Sequence, residues 1–164
     1  MADGTVPQFE VGRRSDLVEV HLVGVPIAEH RAASEHVDEL RREFALLEAQ
    51  QADRGAARVP TRLLALIHDL GERFSSFTES TEAELEEAMD RGDESVDLVF
   101  RVPAEAKEGV EQLDALLDEA DEFCRTGGLL TLAAPPEALA YRRWYLGEFV
   151  RQVDGLERRP WPGT

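Results

Sequence analysis

A half-buried β-strand is predicted by the stretch Leu17–Val18–Glu19–Val20–His21–Leu22–Val23–Gly24–Val25–Pro26. From its second to its sixth residue, apolar and polar side chains alternate, and this period of two places the apolar side chains on one face. Gly24 and Pro26 close the strand. The pattern returns about 77 residues later as Val96–Asp97–Leu98–Val99–Phe100–Arg101–Val102–Pro103, again with an acid near the start and a proline at the end.

Helices are predicted wherever apolar residues recur at spacings of three and four. They cover residues 27–50, 60–74, 81–91, 104–125 and 136–153, with a linker at 51–58, a break at 75–80 and a turn at Gly127–Gly128. Thr81 and Glu84 match a capping box and are expected to begin the third helix. Residues 129–133 are predicted to form a short third strand.

These elements predict an α+β fold in which a small two- or three-stranded sheet accompanies many helices, in the order β-α-α-α-β-α-β-α. The repeated strand–proline–helix pattern leaves two alternatives open: a pseudo-repeat with the two strands side by side and the helices on one face, or the general tendency of α+β proteins to begin a helix with proline after a strand. Residues 1–15 are expected to be a flexible arm, residues 16–154 a single domain, and residues 155–164 a tail that contains Pro and Trp.

The charge of the chain limits its partners. There are 34 acidic and 18 basic residues among 164, a formal net charge of −16. Such a surface repels phosphate backbones and anionic lipids, so we expect neither nucleic-acid nor membrane binding, and protein partners with basic patches are favoured. Cys124 is the single cysteine, and no run of about 18 apolar residues occurs, so a cytoplasmic protein is expected.

No catalytic motif is present in the sequence. The phosphate-loop pattern GxxxxGK[ST], the nucleophile pattern GxSxG and the zinc pattern HExxH are all missing, so neither a cofactor nor a metal is predicted. Cys124 ends an apolar helical stripe and is interpreted as a small buried residue. One alternative stays open: a phosphotransfer or metal-dependent enzyme that uses His30 or His36 with helical carboxylates such as Asp114, Asp118 and Asp121.

The last predicted helix has the most unusual composition. Between Tyr141 and Arg151 it interleaves aromatic residues with arginines, and these side chains are enriched at protein–protein hot spots. The tail adds a second tryptophan, which is expected either to dock back onto the domain or to enter a pocket of a partner. The predicted partner-binding residues are Arg142, Arg143, Trp144, Tyr145, Arg151 and Trp161.

The strand–proline–helix openings, together with the stretches 129–137 and 145–152, resemble a family of small, uncharacterised regulatory proteins of high-GC bacteria. Members of this family accompany anti-sigma serine kinases, SpoIIE-type phosphatases and STAS-domain antagonists. The resemblance implies a role in partner-switching control of transcription. It carries over no functional residues, because the ATP-binding boxes of the kinases and a STAS phosphoacceptor serine are not found here.

The sequence therefore favours a non-enzymatic regulator that acts by protein–protein interaction. An uncovered face or edge of so small a sheet also invites a homodimer. Binding of a small ligand in a pocket between the helices is an alternative that the sequence does not separate from the first.

Overall fold

The computed structural model describes residues 17–50, 58–126 and 130–163. They form, in chain order, β1 (Leu17–Pro26), α1 (Ile27–Gln50), α2 (Arg58–Arg91), β2 (Ser95–Pro103), α3 (Ala106–Arg125) and α4 (Pro136–Val153). The predicted α+β class with a small sheet is confirmed. Among these helices, none combines the length and apolar character that crossing a bilayer requires.

The predicted helix break at residues 75–80 is wrong, because α2 continues through it to Arg91. Thr81 therefore does not cap a third helix. It lies inside α2 with only 2% of its surface exposed, and its hydroxyl donates to the carbonyl of Val99 in β2 at 2.9 Å. Serine and threonine lower helix stability only slightly, so packing of α2 against β2 outweighs their preference for helix ends.

The predicted third strand is also wrong where it can be judged, since residues 130–133 are irregular. Side chains rather than a neighbouring strand bind this backbone. Glu43 accepts from the N–H groups of Leu130 and Thr131, and Asp121 accepts from that of Ala134. The element order is therefore β-α-α-β-α-α. Residue 129, the Gly127–Gly128 turn, the arm at 1–15 and residues 51–57 of the predicted linker lie outside the described residues. The last residue of that linker, Arg58, is helical and begins α2.

The sheet consists of β1 and β2 paired antiparallel, from Leu17 opposite Pro103 to Pro26 opposite Ser95. The register shifts between Leu22 and Val25, where Gly24 has a φ of 71°. This bulge places one extra residue in β1, and only glycine adopts such a φ without strain. One face of the sheet is buried through Val20, Leu22, Val25, Leu98, Phe100 and Val102.

The helices follow the same repeat as the strands. Strand β2 packs against α2 and β1 packs against α4, while α1 and α3 each contact both α2 and α4. The four helices thus form a ring. Two hydrophobic clusters fill the molecule: a sheet-side cluster that includes Leu22, Phe100, Tyr141 and Phe149, and a distal cluster of Leu40, Phe44, Leu63, Leu116, Leu117, Ala120 and Cys124.

Candidate functional site

A cavity of about 350 Å³ lies inside the ring of helices and receives side chains from all four of them. It separates the two hydrophobic clusters: Tyr141 belongs to the sheet-side cluster, whereas Leu117 belongs to the distal one. Pockets for small molecules in proteins typically have volumes of about 300 to 1,000 Å³. The apolar part of the wall is formed mainly by Ala33, Val37, Ile67, Leu70, Leu113, Leu117, Ala138 and Leu146.

The polar part of the wall is centred on His30 of α1. Its Nδ1 lies 2.6 Å from the hydroxyl of Tyr141, and its Nε2 lies 3.4 Å from the hydroxyl of Ser34. The ring of Tyr145 is tilted against the imidazole, with centroids 5.5 Å apart. A neutral imidazole has one donor and one acceptor nitrogen, so this group offers hydrogen bonds in either sense.

Burial keeps this polar group uncharged. It lowers the pKa of His30 from 6.5, because the imidazolium form would lose its hydration. Burial likewise raises the pKa of the Tyr141 and Tyr145 hydroxyls. The side chains of His30, Tyr141 and Tyr145 are therefore polar but uncharged at neutral pH. The wall also holds the exposed carboxylate of Asp38, which pairs with Arg41 at 3.3 Å.

Arg142 brings the one buried charge to this wall, and three carboxylates neutralise it. The arginine is 8% exposed, and its guanidinium pairs with Asp121 at 3.0 Å, with Asp114 at 3.3 Å and with Asp118. These acids are the helical row that the sequence offered as a cation site. Because Arg142 and Arg143 occupy them, they form an ion-pair network between α3 and α4.

Asp121 is the most strongly held of these acids and connects four parts of the chain. Besides Arg142, it accepts from the N–H of Ala134 at 3.0 Å and lies 3.4 Å from Nε2 of His36. Burial alone would raise the pKa of Asp121. The hydrogen bonds from His36 and Ala134, together with Arg142, outweigh that effect and lower its pKa to about 2.

The structure brings both candidate histidines, His30 and His36, to the cavity wall. His30 bonds to Tyr141 and Ser34, and His36 contacts Asp121, which is itself committed to Arg142. Within the three described segments, no group of three or more His, Cys, Asp or Glu residues is arranged to hold a metal ion. Cys124 is buried in the distal cluster, as predicted.

The six predicted partner-binding residues do not form one surface. Arg142 and Tyr145 face the cavity, and the half-exposed Arg143 pairs with Asp118. The other three contact the C-terminal tail or belong to it: Trp144, Arg151 and Trp161. Binding of a protein partner by these residues stays a prediction.

The sequence offered a pocket between the helices as an alternative, but it did not show where the cavity lies or which residues line it. Ala33, Leu70, Leu113 and Leu117 occupy the apolar stripes from which a core was predicted, and periodicity does not distinguish a core position from a cavity wall. The available signal is the small size of Ala33 and Ala138, which leaves space where a larger side chain would fill the ring.

Comparison of the chain with models of protein families, with curated proteins and with solved structures found no significant match. The features that bear on function are therefore the cavity, the uncharged group around His30 and the neutralised Arg142.

Proposed function

We propose that this protein is a non-enzymatic regulatory protein whose central cavity binds an uncharged, mostly apolar small molecule. The observation that carries this proposal is the cavity of about 350 Å³ between the two hydrophobic clusters. An engineered apolar cavity of about 150 Å³ is already large enough to bind benzene. A ligand here would join the two clusters, so binding should stabilise the fold.

The charges around the cavity disfavour an anionic ligand, and the mostly apolar wall favours an uncharged one. The three carboxylates neutralise Arg142, so it offers no free positive charge to an anion. The net charge of −16 further disfavours an anionic molecule. A hydroxyl, carbonyl or amide on the ligand would instead meet Ser34 and the imidazole of His30.

The regulatory part of the proposal concerns protein partners. The acidic surface favours partners with basic patches, and the resemblance to partner-switching proteins points to the same kind of role in the cytoplasm. Occupancy of a cavity that separates two clusters changes the stability of the whole ring, which is one physical way for a ligand to change the affinity for a partner. A homodimer through the exposed sheet face belongs to the same proposal.

The cavity is tested with N-phenyl-1-naphthylamine, an uncharged dye whose emission rises in apolar surroundings. Ala33 faces the cavity and Ala32 is exposed, so Ala33→Phe and Ala32→Phe are a matched pair on α1. We expect the wild type and Ala32→Phe to bind one equivalent of dye with equal affinity, and Ala33→Phe to bind at least about tenfold more weakly, a difference of roughly 1.4 kcal/mol.

A sulfonated relative of the dye, 8-anilinonaphthalene-1-sulfonate, tests the charge preference, and we expect it to bind more weakly than the uncharged dye. Equal dye binding by Ala33→Phe and Ala32→Phe, with both variants folded by circular dichroism, would reject the cavity as the binding site. Tighter binding of the sulfonate would reject the preference for an uncharged ligand.

A further inference from the structure

The C-terminal tail, residues 155–163, folds back over α4 and reaches the outer edge of β1. The N–H of Trp161 donates to the carbonyl of Val23 at 2.9 Å. The indole of Trp161 packs against Tyr141 and Trp144, with ring centroids 5.7 and 5.4 Å away. Tail residues 155–160 are exposed, so the half-buried Trp161 is the side chain that anchors the segment.

The body of the protein also binds the backbone of Arg159, two residues before the anchor. The N–H of Arg159 donates to Oε2 of Glu148, and the carbonyl of Arg159 accepts from Nε1 of Trp144, both at 2.9 Å. Glu148 is only 1% exposed, so this carboxylate is a fixed acceptor. We call this binding surface the tail groove; it consists of the carbonyl of Val23 and the side chains of Tyr141, Trp144 and Glu148.

The groove holds the tail through the backbone of Arg159 and Trp161 and through one aromatic side chain. This is the chemistry by which proteins add a peptide to a sheet edge, where main-chain hydrogen bonds give affinity and a pocket gives specificity. The side chain of Arg159 is exposed, so its identity is not read by the bonds to its backbone. These contacts specify the aromatic residue two positions later, and the arginine side chains add to binding only through their charge.

The tail is poorly suited to form further backbone hydrogen bonds with the edge of β1. Pro160 and Pro162 flank Trp161, and proline has no N–H to donate to a neighbouring strand. Further along the same edge, the side-chain amide of Gln152 accepts from the N–H of His21 and donates to its carbonyl, each at 2.8 Å. The tail therefore adds a single strand-type hydrogen bond to β1, and a competing segment must replace this bond, the two bonds to the backbone of Arg159 and the packing of Trp161.

We propose that the tail groove is a binding site for an extended, basic segment of a partner protein, and that the tail is its resident occupant in cis. Arg158 and Arg159 precede the anchor on a body of net charge −16, so the tail itself shows the charge that the groove favours. The partner segment displaces the tail and places its own aromatic side chain between Tyr141 and Trp144. The groove shares Tyr141 with the cavity wall, but its occupant and its test differ from those of the cavity, so either proposal can fail without the other.

The test uses the full chain carrying Trp161→Ala and a fluorescent peptide with the tail's own sequence, Leu156 to Thr164. A tethered tail has an effective concentration in the millimolar range, so the wild type should exclude the peptide. We expect anisotropy to show binding to Trp161→Ala that is at least about tenfold tighter than to the wild type. A peptide in which alanine replaces the tryptophan should bind to neither protein.

Two variants make the test specific for the groove. Trp144→Phe in the Trp161→Ala background keeps a ring but removes the indole donor, and should weaken the peptide about three- to tenfold. A peptide with glutamate at both arginine positions should also bind more weakly. Binding of the first peptide to neither protein, or equally to both, would overturn the proposal. If the wild type forms dimers and Trp161→Ala abolishes them, the occupant of the groove is instead the tail of a second copy of this chain.

Discussion

Replacing Asp121 with asparagine is expected to destabilise the protein strongly at neutral pH. This carboxylate is 2% exposed and holds Arg142, the N–H of Ala134 and His36. Lowering its pKa from 3.8 to about 2 corresponds to about 2 kcal/mol of stability at pH 7. Asparagine keeps the shape but removes the charge opposite Arg142, so we expect a loss of about 2 to 3 kcal/mol.

The same reasoning fixes the pH dependence of this effect. Because the pKa of Asp121 is lower in the folded state, its contribution is complete well above pH 3.8 and is lost as the pH falls towards 2. The difference between the wild type and Asp121→Asn should therefore shrink to about half at pH 3 and become small at pH 2.

Urea unfolding followed by circular dichroism at pH 7, 5 and 3 measures this difference directly. Asp118→Asn is the matched control, because Asp118 pairs with the same arginines from a side chain that is 43% exposed. We expect it to cost less than about 1 kcal/mol, since exposed ion pairs contribute little. A loss below about 0.5 kcal/mol for Asp121→Asn, or a difference that stays constant between pH 7 and 3, would refute the reasoning.

Three further predictions concern the same interior. A Cβ at Gly109 would lie 2.5 Å from Cδ2 of Leu70, so Gly109→Ala should push Leu70 into the cavity and weaken the uncharged dye about tenfold; unchanged dye affinity would contradict this. Burial, followed by nearby acids, raises the pKa of Cys124 from 9.0 to about 11. At pH 8 the thiol of the folded protein should therefore react with iodoacetamide about a hundredfold more slowly than that of the protein unfolded in urea, and equal rates would contradict burial. The folded-state pKa of His30 lies below 6.5, so the wild type should lose more stability between pH 7 and 5 than His30→Gln does, as urea midpoints would show.

The sequence predicted the elements whose pattern is local. Both strands and α1 appear where alternation and helical spacing placed them, and the proline that ends each strand is followed within three residues by a helix. The repeat between the two strands also has a counterpart in three dimensions. The strand of each half, β1-α1-α2 or β2-α3-α4, packs against the second helix of the other half. Each of these features depends on side chains that are close together in the sequence.

The features that were mispredicted or missed depend on distant contacts. Thr81 appeared to begin a helix because its true partner, the carbonyl of Val99, is not visible in a local pattern. Residues 130–133 have the composition of a strand, but carboxylates from α1 and α3 hold this region in an irregular path. Docking of Trp161 onto the domain was one of two alternatives from the sequence, but a local pattern does not connect the tail with its contacts, Tyr141 and Trp144.

The central claim is that a small apolar molecule binds between the two hydrophobic clusters. The chain has two isoleucines: Ile67 lines the cavity, and Ile27 lies in the sheet-side cluster. Selective labelling of their δ1 methyl groups therefore gives one reporter and one internal control. On titration with N-phenyl-1-naphthylamine, the account predicts a large shift and a dye-to-methyl nuclear Overhauser effect at Ile67, with little change at Ile27. Saturable dye binding that leaves the Ile67 signal unmoved would contradict it.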